Sequence, residues 1–436
     1  MVRNRYAASV AVAAFLSAMP PAQAADQVVA PPQEVSGPSW TGFYLGVHGG
    51  AAFGNMGYDQ LATPGFPGDT ISYRIGSEDF VYGVHGGFDY QFNNRWVAGF
   101  ELDYTQISAD YSPNVAGGLG TLVKANSLYS ISGRAGYLLT PQTLIYGRLG
   151  YAGIKLEAEE GFTGTASKTV GTAQFGIGAE TFLWGNLTGR IEANYYHAFN
   201  KFTLEDDGEV FKPRYLLVTA GLAYRFNADR GSSYPVEAAP DLNWSGFYAG
   251  ISGAYNAGLM SREIDVAGAT IGPFSASAFG GGVFAGYNFL FGSSYLLGVE
   301  AGGEYLSARF NDPEQNSLDP SAPTLFGTIK GALSVSARAG YFATPSTLVY
   351  AKGGFAGLWT EANGEFFGLG GGGRKMLSAY QFGAGIESAL TDKWSLRVEG
   401  LYTKAFNGLK TENSQLEQVE LKPSLLTGRI GLAYHF

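Results

Sequence analysis

The chain has 436 residues, of which 64 are glycine, 14% are aromatic and 15% are charged; none is cysteine. Soluble domains carry about 25% charged residues, so the composition argues against an ordinary soluble globule, and without thiols the fold uses no disulfides. A net charge of −9 argues against nucleic acid as a partner.

In chain order, Arg3 and Arg5 precede the apolar run Ala7 to Met19, and Ala22-Gln23-Ala24 is an A-x-A cleavage pattern. Residues 1–24 therefore read as a secretory signal peptide, its apolar run too short to cross a bilayer as a helix. Its removal takes Arg3 and Arg5 away and lowers the net charge from −9 to −11. No later run of about 18 apolar residues predicts a membrane helix. Residues 25–38 and 227–242 are polar, Pro-containing tethers, read as linkers rather than folded elements.

Between and after the tethers the chain repeats itself, as residues 39–226 and 243–436. SWTGFYLGVHGG from Ser39 returns as NWSGFYAGISGA from Asn243; GRAGYLLTPQTLIYGRLGYAG from Gly133 returns as ARAGYFATPSTLVYAKGGFAG from Ala337. GLAYRF ends at Phe226 and GLAYHF at Phe436. Within each unit the pattern has period two. Tyr129, Ile131, Gly133, Ala135 and Tyr137 alternate with Ser130, Ser132, Arg134 and Gly136. An apolar face meeting lipid and a Gly/charged face meeting a lumen describe a membrane barrel.

Eight such strands are predicted in the first unit, near 42–53, 79–92, 95–109, 124–139, 143–157, 168–183, 187–202 and 213–226. Short turns at Asn93-Asn94, Thr140-Pro141-Gln142 and Trp184-Gly185-Asn186 alternate with longer loops near 54–78, 110–123, 158–167 and 203–212. That is the outer-membrane pattern of short periplasmic turns and long external loops. Trp40, Phe92, Trp96, Tyr137, Trp184 and Phe226, with Trp244, Phe291, Tyr295, Tyr341, Trp394 and Phe436, lie beside short turns or unit ends and predict an aromatic girdle.

These motifs, W-[TS]-G-F-Y-x-G, R-A-G-Y-x-x-T-P-x-T-L-x-Y and the aromatic-ended last strand, resemble the small outer-membrane β-barrel family of α-proteobacterial surface antigens, relatives of the OmpA/OmpX-like eight-stranded barrels. The resemblance implies an integral outer-membrane protein with a structural, surface-exposed role in the envelope and no enzymatic activity. Its partners would be outer-membrane lipid and lipopolysaccharide, together with the barrel-assembly machinery, which would read Gly431, Tyr434 and Phe436; Gly221, Tyr224 and Phe226 are an internal copy. The tandem duplication departs from the single-barrel pattern.

Glu101, Arg134, Arg148, Glu180, Arg190 and Glu192 predict a layer of lumen charge at one height, repeated as Glu300, Arg338, Lys352, Glu387, Arg397 and Glu399. Buried charges must pair, so opposed signs on neighbouring strands predict a network plugging the lumen. His48 and His85 share the lumen face, but no third ligand is evident at matching spacing, and they read as packing or hydrogen-bonding residues. Gly368 to Gly373 matches a phosphate-cradle pattern without the strand and helix such a cradle needs, and reads as an external loop. His197 lies near the outer rim, but Ala198 and Phe199 follow it without a hydroxyl, so no catalytic residues, cofactor or metal are assigned. The fold class is all-β, two tandem eight-stranded antiparallel barrels; the rival is one sixteen-stranded barrel acting as a porin-like channel for small solutes.

Overall fold

The computed structural model describes residues 34–35, 37–60, 71–111, 123–160, 164–204, 209–234, 236–264, 269–312, 324–366, 373–412 and 418–436. The signal segment 1–24, the centre of the loop around Gly65 and Gly368–Gly372 lie outside the described residues.

The first unit contains β2 (Gly42–Gln60), β3 (Ile71–Gln91), β4 (Trp96–Tyr111), β5 (Val123–Thr140), β6 (Thr143–Glu160), β7 (Gly164–Trp184), β8 (Leu187–Ala198), β9 (Phe202–Leu204) and β10 (Glu209–Arg225). The second contains β12 (Gly246–Ile264), β13 (Ala269–Phe291), β14 (Tyr295–Asn311), β15 (Leu325–Thr344), β16 (Thr347–Ala362), β17 (Arg374–Ala389), β18 (Trp394–Ala405), β19 (Leu409–Glu412) and β20 (Gln418–His435). β8 and β9 both pair with β10, as β18 and β19 do with β20, so each couple is one interrupted strand and each unit has eight.

Both units close on themselves. β10 pairs antiparallel with β2 from Arg225↔Tyr44 to Glu209↔Gln60, and β20 with β12 from His435↔Tyr248 to Val419↔Ile264. With β8 and β2 on either side of β10, and β13 and β20 on either side of β12, neither has a free edge to offer the other. A sixteen-stranded sheet would need that pairing. The fold is two barrels, not one wide one.

The strands outrun their expected outer ends. A tilted crossing needs about 9–11 residues, whereas β3 has 21 and β13 has 23. The walls therefore continue above the membrane, and β2 and β3 stay paired through most of the span expected as the loop 54–78. Register shifts at Gln106/Ala109 and Ala125/Ser127, matched by Tyr305/Ala308 and Ile329/Gly331, interrupt the alternation on β5 and β15, whereas β4 and β14 keep it.

The tethers are partly folded. β1 (Glu34–Val35) pairs with β11 (Val236–Glu237), and Ala228–Arg230 form a 3-10 turn. Ser39 N donates to the Ala228 carbonyl (3.1 Å), Ser232 N to the Gly37 carbonyl (2.9 Å), and Glu237 pairs with Arg95. The expectation of unstructured linkers fails because these backbone groups find partners on each other and on the barrel mouth.

The barrels pack side by side through equivalent positions. Ala179 and Ile191 meet Ile386 and Val398, and the Thr143 hydroxyl lies 2.8 Å from that of Thr347. Gly400 allows the approach, since a Cβ there would lie 2.1 Å from Val218 Cγ1. Outward apolar residues that the sequence assigns to lipid are buried here against the sister barrel.

Candidate functional site

Each lumen is filled in three storeys. At the short-turn mouth of the first barrel, Trp40, Val97, Leu138, Leu144, Tyr146, Phe182 and Ala228 form an apolar cap. Trp40 is fully buried; its Nε1 donates to the Pro141 carbonyl (3.0 Å) and the Arg225 guanidinium lies 4.4 Å over its ring. Trp244 is likewise buried and donates to the Pro345 carbonyl (3.0 Å). Both were expected in the girdle. They instead turn into the mouth, where an indole N–H can reach a carbonyl. The other ten girdle aromatics are exposed.

Above the cap lies the charge network, and all twelve residues assigned to it are buried. They form two linked clusters rather than one ring, because strand tilt and stagger offset residues equally distant from their turns. In one cluster Arg134 pairs with Glu180 (2.9 Å) and Asp89, and Arg225 with Glu180 (2.9 Å) and Asp89 (2.8 Å). In the other, Arg190 (2.6 Å) and Arg148 (2.9 Å) hold Glu101, while Arg148 (2.9 Å) and Arg190 (3.4 Å) hold Glu192. Arg134 links them, 4.0 Å from Glu101. Tyr44 donates to Glu101 (2.9 Å) and Tyr146 to Glu192 (2.6 Å).

The second barrel repeats the scheme. Arg397 (2.6 Å) and Lys352 hold Glu300, Arg338 holds Glu387 (2.7 Å), and Arg429 holds Glu399 (2.5 Å). Tyr248 and Tyr350 donate to Glu300 (2.9 Å) and Glu399 (2.8 Å). Sequence reasoning missed Asp89, Arg225 and Arg429. Period two places each on the lumen face: Arg225, for example, lies between outward Tyr224 and Phe226.

The third storey is apolar. Met56, Ile75, Ile107, Leu128, Ile154, Leu156, Phe211 and Leu217 belong to a buried cluster above the first network, and Met260, Phe274, Leu306, Phe310, Phe326, Ile329 and Leu421 to one in the second barrel. These plugs continue the inward parity of the charge layer, as Ile107 follows Glu101, Asp103 and Thr105, and some of their residues, such as Met56, Ile75 and Phe211, lie in spans that the sequence reading assigns to loops.

His48 and His85 meet inside the first barrel, Nδ1 to Nδ1 at 3.3 Å, with Asp103 Oδ2 3.6 Å from His48 Nδ1. This corrects the expectation of no third ligand: the short β3–β4 turn puts Asp103 directly opposite His85. Thr105 Oγ1 donates to Asp103 Oδ1 (2.8 Å) and lies 2.9 Å from His48 Nε2. A Cβ at residue 46 would lie 2.3 Å from His85 Nε2, so only Gly46 leaves that imidazole its place. His197 meets the Tyr195 hydroxyl at 3.3 Å, and among the described residues no carboxylate joins them.

Gly431, Tyr434 and Phe436 occupy the end of β20 and the residue after it; Phe436 N donates to the Phe247 carbonyl (3.1 Å), as Phe226 N does to that of Phe43 (3.0 Å).

Among known proteins, the chain resembles the 31 kDa outer-membrane immunogenic protein of Brucella melitensis, at 32% identity over 228 residues, covering 47% of this chain and 89% of that protein. It resembles a 22 kDa outer membrane protein of Rhizobium leguminosarum at 33% identity, covering 36% of this chain and 64% of that protein. Neisserial surface protein A overlaps 44% of this chain and 99% of its own at 16% identity, but a TM-score of 0.27 carries no argument about function. The model of the outer membrane protein beta-barrel domain matches twice, at residues 8–226 and 232–421, and the chain belongs to that family as an integral outer-membrane protein.

Proposed function

We propose that the protein is a non-conducting, non-enzymatic barrel pair, which stiffens the outer membrane and presents its loops at the cell surface. The observation that carries the reading is the filled interior: a mouth cap, a paired charge network and an apolar plug stand in series inside each closed barrel. An ion would have to break buried pairs and then cross an apolar layer, each step costing several kcal/mol. Two closed eight-stranded barrels also lack the width of a porin lumen. The aromatic girdle and lipid-facing walls would contact lipid and lipopolysaccharide, and Gly431, Tyr434 and Phe436 would engage the barrel-assembly machinery.

Short turns, both tethers and the chain end would face the periplasm, with the long loops outside. The names of the Brucella relatives, outer-membrane immunogenic proteins, fit loop display. Single-channel recording on purified protein tests the reading: the bilayer should stay at baseline conductance, and steady porin-sized steps would make the protein a channel.

A further inference from the structure

We propose that the first barrel holds one divalent transition cation, of the zinc class, between His48, His85 and Asp103, and that the second barrel holds none. The three ligand atoms lie within 4.8 Å of one another, all three residues buried. Two of the edges, 3.3 and 3.6 Å, bracket the roughly 3.3–3.6 Å expected between ligands with 2.0–2.1 Å bonds around zinc. The third closes with a small carboxylate or imidazole rotation.

Proton bookkeeping at His48 shows that its Nδ1 carries the lone pair a ligand needs. Asp103 can only accept, so the Thr105 hydroxyl proton points at Oδ1 and its oxygen must accept from His48 Nε2–H. That tautomer leaves a lone pair on His48 Nδ1 facing Asp103 Oδ2 across 3.6 Å. In the ion-free protein His85 Nδ1–H can fill that lone pair across 3.3 Å. An ion would take the place of that proton and reach Asp103 Oδ2 as well, with Thr105 orienting His48 and Asp103 as outer-shell partners of metal ligands do.

Charge balance points the same way. Among the described residues, the buried acids of the first lumen are Asp89, Glu101, Asp103, Glu180 and Glu192, against Arg134, Arg148, Arg190 and Arg225. Asp103 is the carboxylate without an arginine. In the second barrel the equivalent positions are Ser252, Phe284 and Gly302, with Phe284 packed under the Arg397 guanidinium. The fold does not need the cluster. The chain has no cysteine and four histidines, so few other places could hold such an ion.

The site is enclosed, so the ion would enter while the barrel folds. Protein refolded into detergent with zinc chloride and then dialysed should retain one zinc per chain by elemental analysis. Asp103→Asn and His85→Phe, the latter copying the second barrel, should retain none. Heat-modifiable migration on gels checks that each variant has closed. Closed wild-type protein that retains no more zinc than Asp103→Asn would overturn the proposal and leave a proton as the shared cation. So would a closed Asp103→Asn variant that still holds one zinc. The filled-barrel reading is tested separately by conductance.

Discussion

Glu180→Leu removes the acceptor that Arg134 and Arg225 share. The carboxylate takes Arg134 Nη1 (2.9 Å), Arg225 Nη2 (2.9 Å) and Nε (3.0 Å), and the Thr188 hydroxyl (2.8 Å). Without it, two guanidiniums compete for Asp89 in a space that has excluded water. Two charge-assisted partners at about 1.5–3 kcal/mol each amount to roughly 3–6 kcal/mol. Burying leucine returns about 2 kcal/mol, but the stranded positive charge adds its own desolvation cost. The net loss should be about 3–5 kcal/mol, the range for breaking a buried pair. Glu387→Leu should fall at the lower end, because its carboxylate has one guanidinium, that of Arg338, with Ser395 and His435 as milder partners. Adding Arg225→Met to Glu180→Leu removes the stranded charge and leaves Arg134 on Asp89. The double variant should regain about 1–2 kcal/mol despite losing the cation over Trp40. Urea titration of protein refolded into phospholipid vesicles, scored by heat-modifiable migration, gives the midpoints and slopes. A Glu180→Leu midpoint within about 0.5 kcal/mol of wild type would show that water reaches the layer, and the filled-lumen argument would fail.

Thr143→Cys with Thr347→Cys should form an intramolecular disulfide on oxidation, because the native hydroxyls touch across the seam and the chain has no other cysteine; failure to cross-link in membranes would refute the side-by-side packing. An epitope tag beside Gly65 should be labelled on intact cells and one at Asp241 should not, and the opposite result would invert the topology. Deleting Phe436 should reduce membrane insertion more than Phe226→Ala does, as measured by the folded fraction in outer-membrane extracts; equal defects would mean that each barrel is recognised on its own end.

Much of the barrel is legible in the sequence because lipid imposes a strict alternation. Where β5 faces lipid, Tyr129, Ile131 and Tyr137 point out and Ser130, Ser132 and Arg134 point in, as the period-two reading requires. Legibility ends where another force takes over. Above the bilayer nothing requires the inner face to be polar, and residues such as Ile107 and Leu128, on the same inward parity as Glu101 and Arg134, pack as in a soluble core. At the seam the outward face meets a second barrel, and Ile191 and Val398 look the same in sequence whether lipid or protein covers them. Trp40 misled for a related reason: an aromatic before the first ladder residue has no pleat to say which way it points. Asp103 was within reach, since pairing β3 with β4 across their short turn sets it opposite His85.

The duplication lets one barrel serve as a control for the other. Both keep the indole bound to a carbonyl behind the T-P-x-T turn, Tyr44 or Tyr248 on a first glutamate, and Tyr146 or Tyr350 on a second. A barrel of this width needs these contacts to fill its mouth and neutralise its middle. The differences come in compensated sets. Asp89 with Arg225 becomes Asn288 with His435, exchanging one carboxylate and one guanidinium together, and Arg338 Nε then donates to Asn288 (3.1 Å) instead of to a carboxylate. Thr219 becomes Arg429, which pairs with Glu399, while Glu304 at the Thr105 position takes up Asn256 (2.6 Å). Asp103 breaks the rule. Its counterpart is Gly302, yet no arginine of the first lumen is dedicated to it and none disappears with it. What disappears with it is the pair of imidazoles, His48 and His85, replaced by Ser252 and Phe284, and a buried carboxylate that comes and goes with two imidazoles rather than with an arginine is a ligand set of the kind that a captured cation would hold.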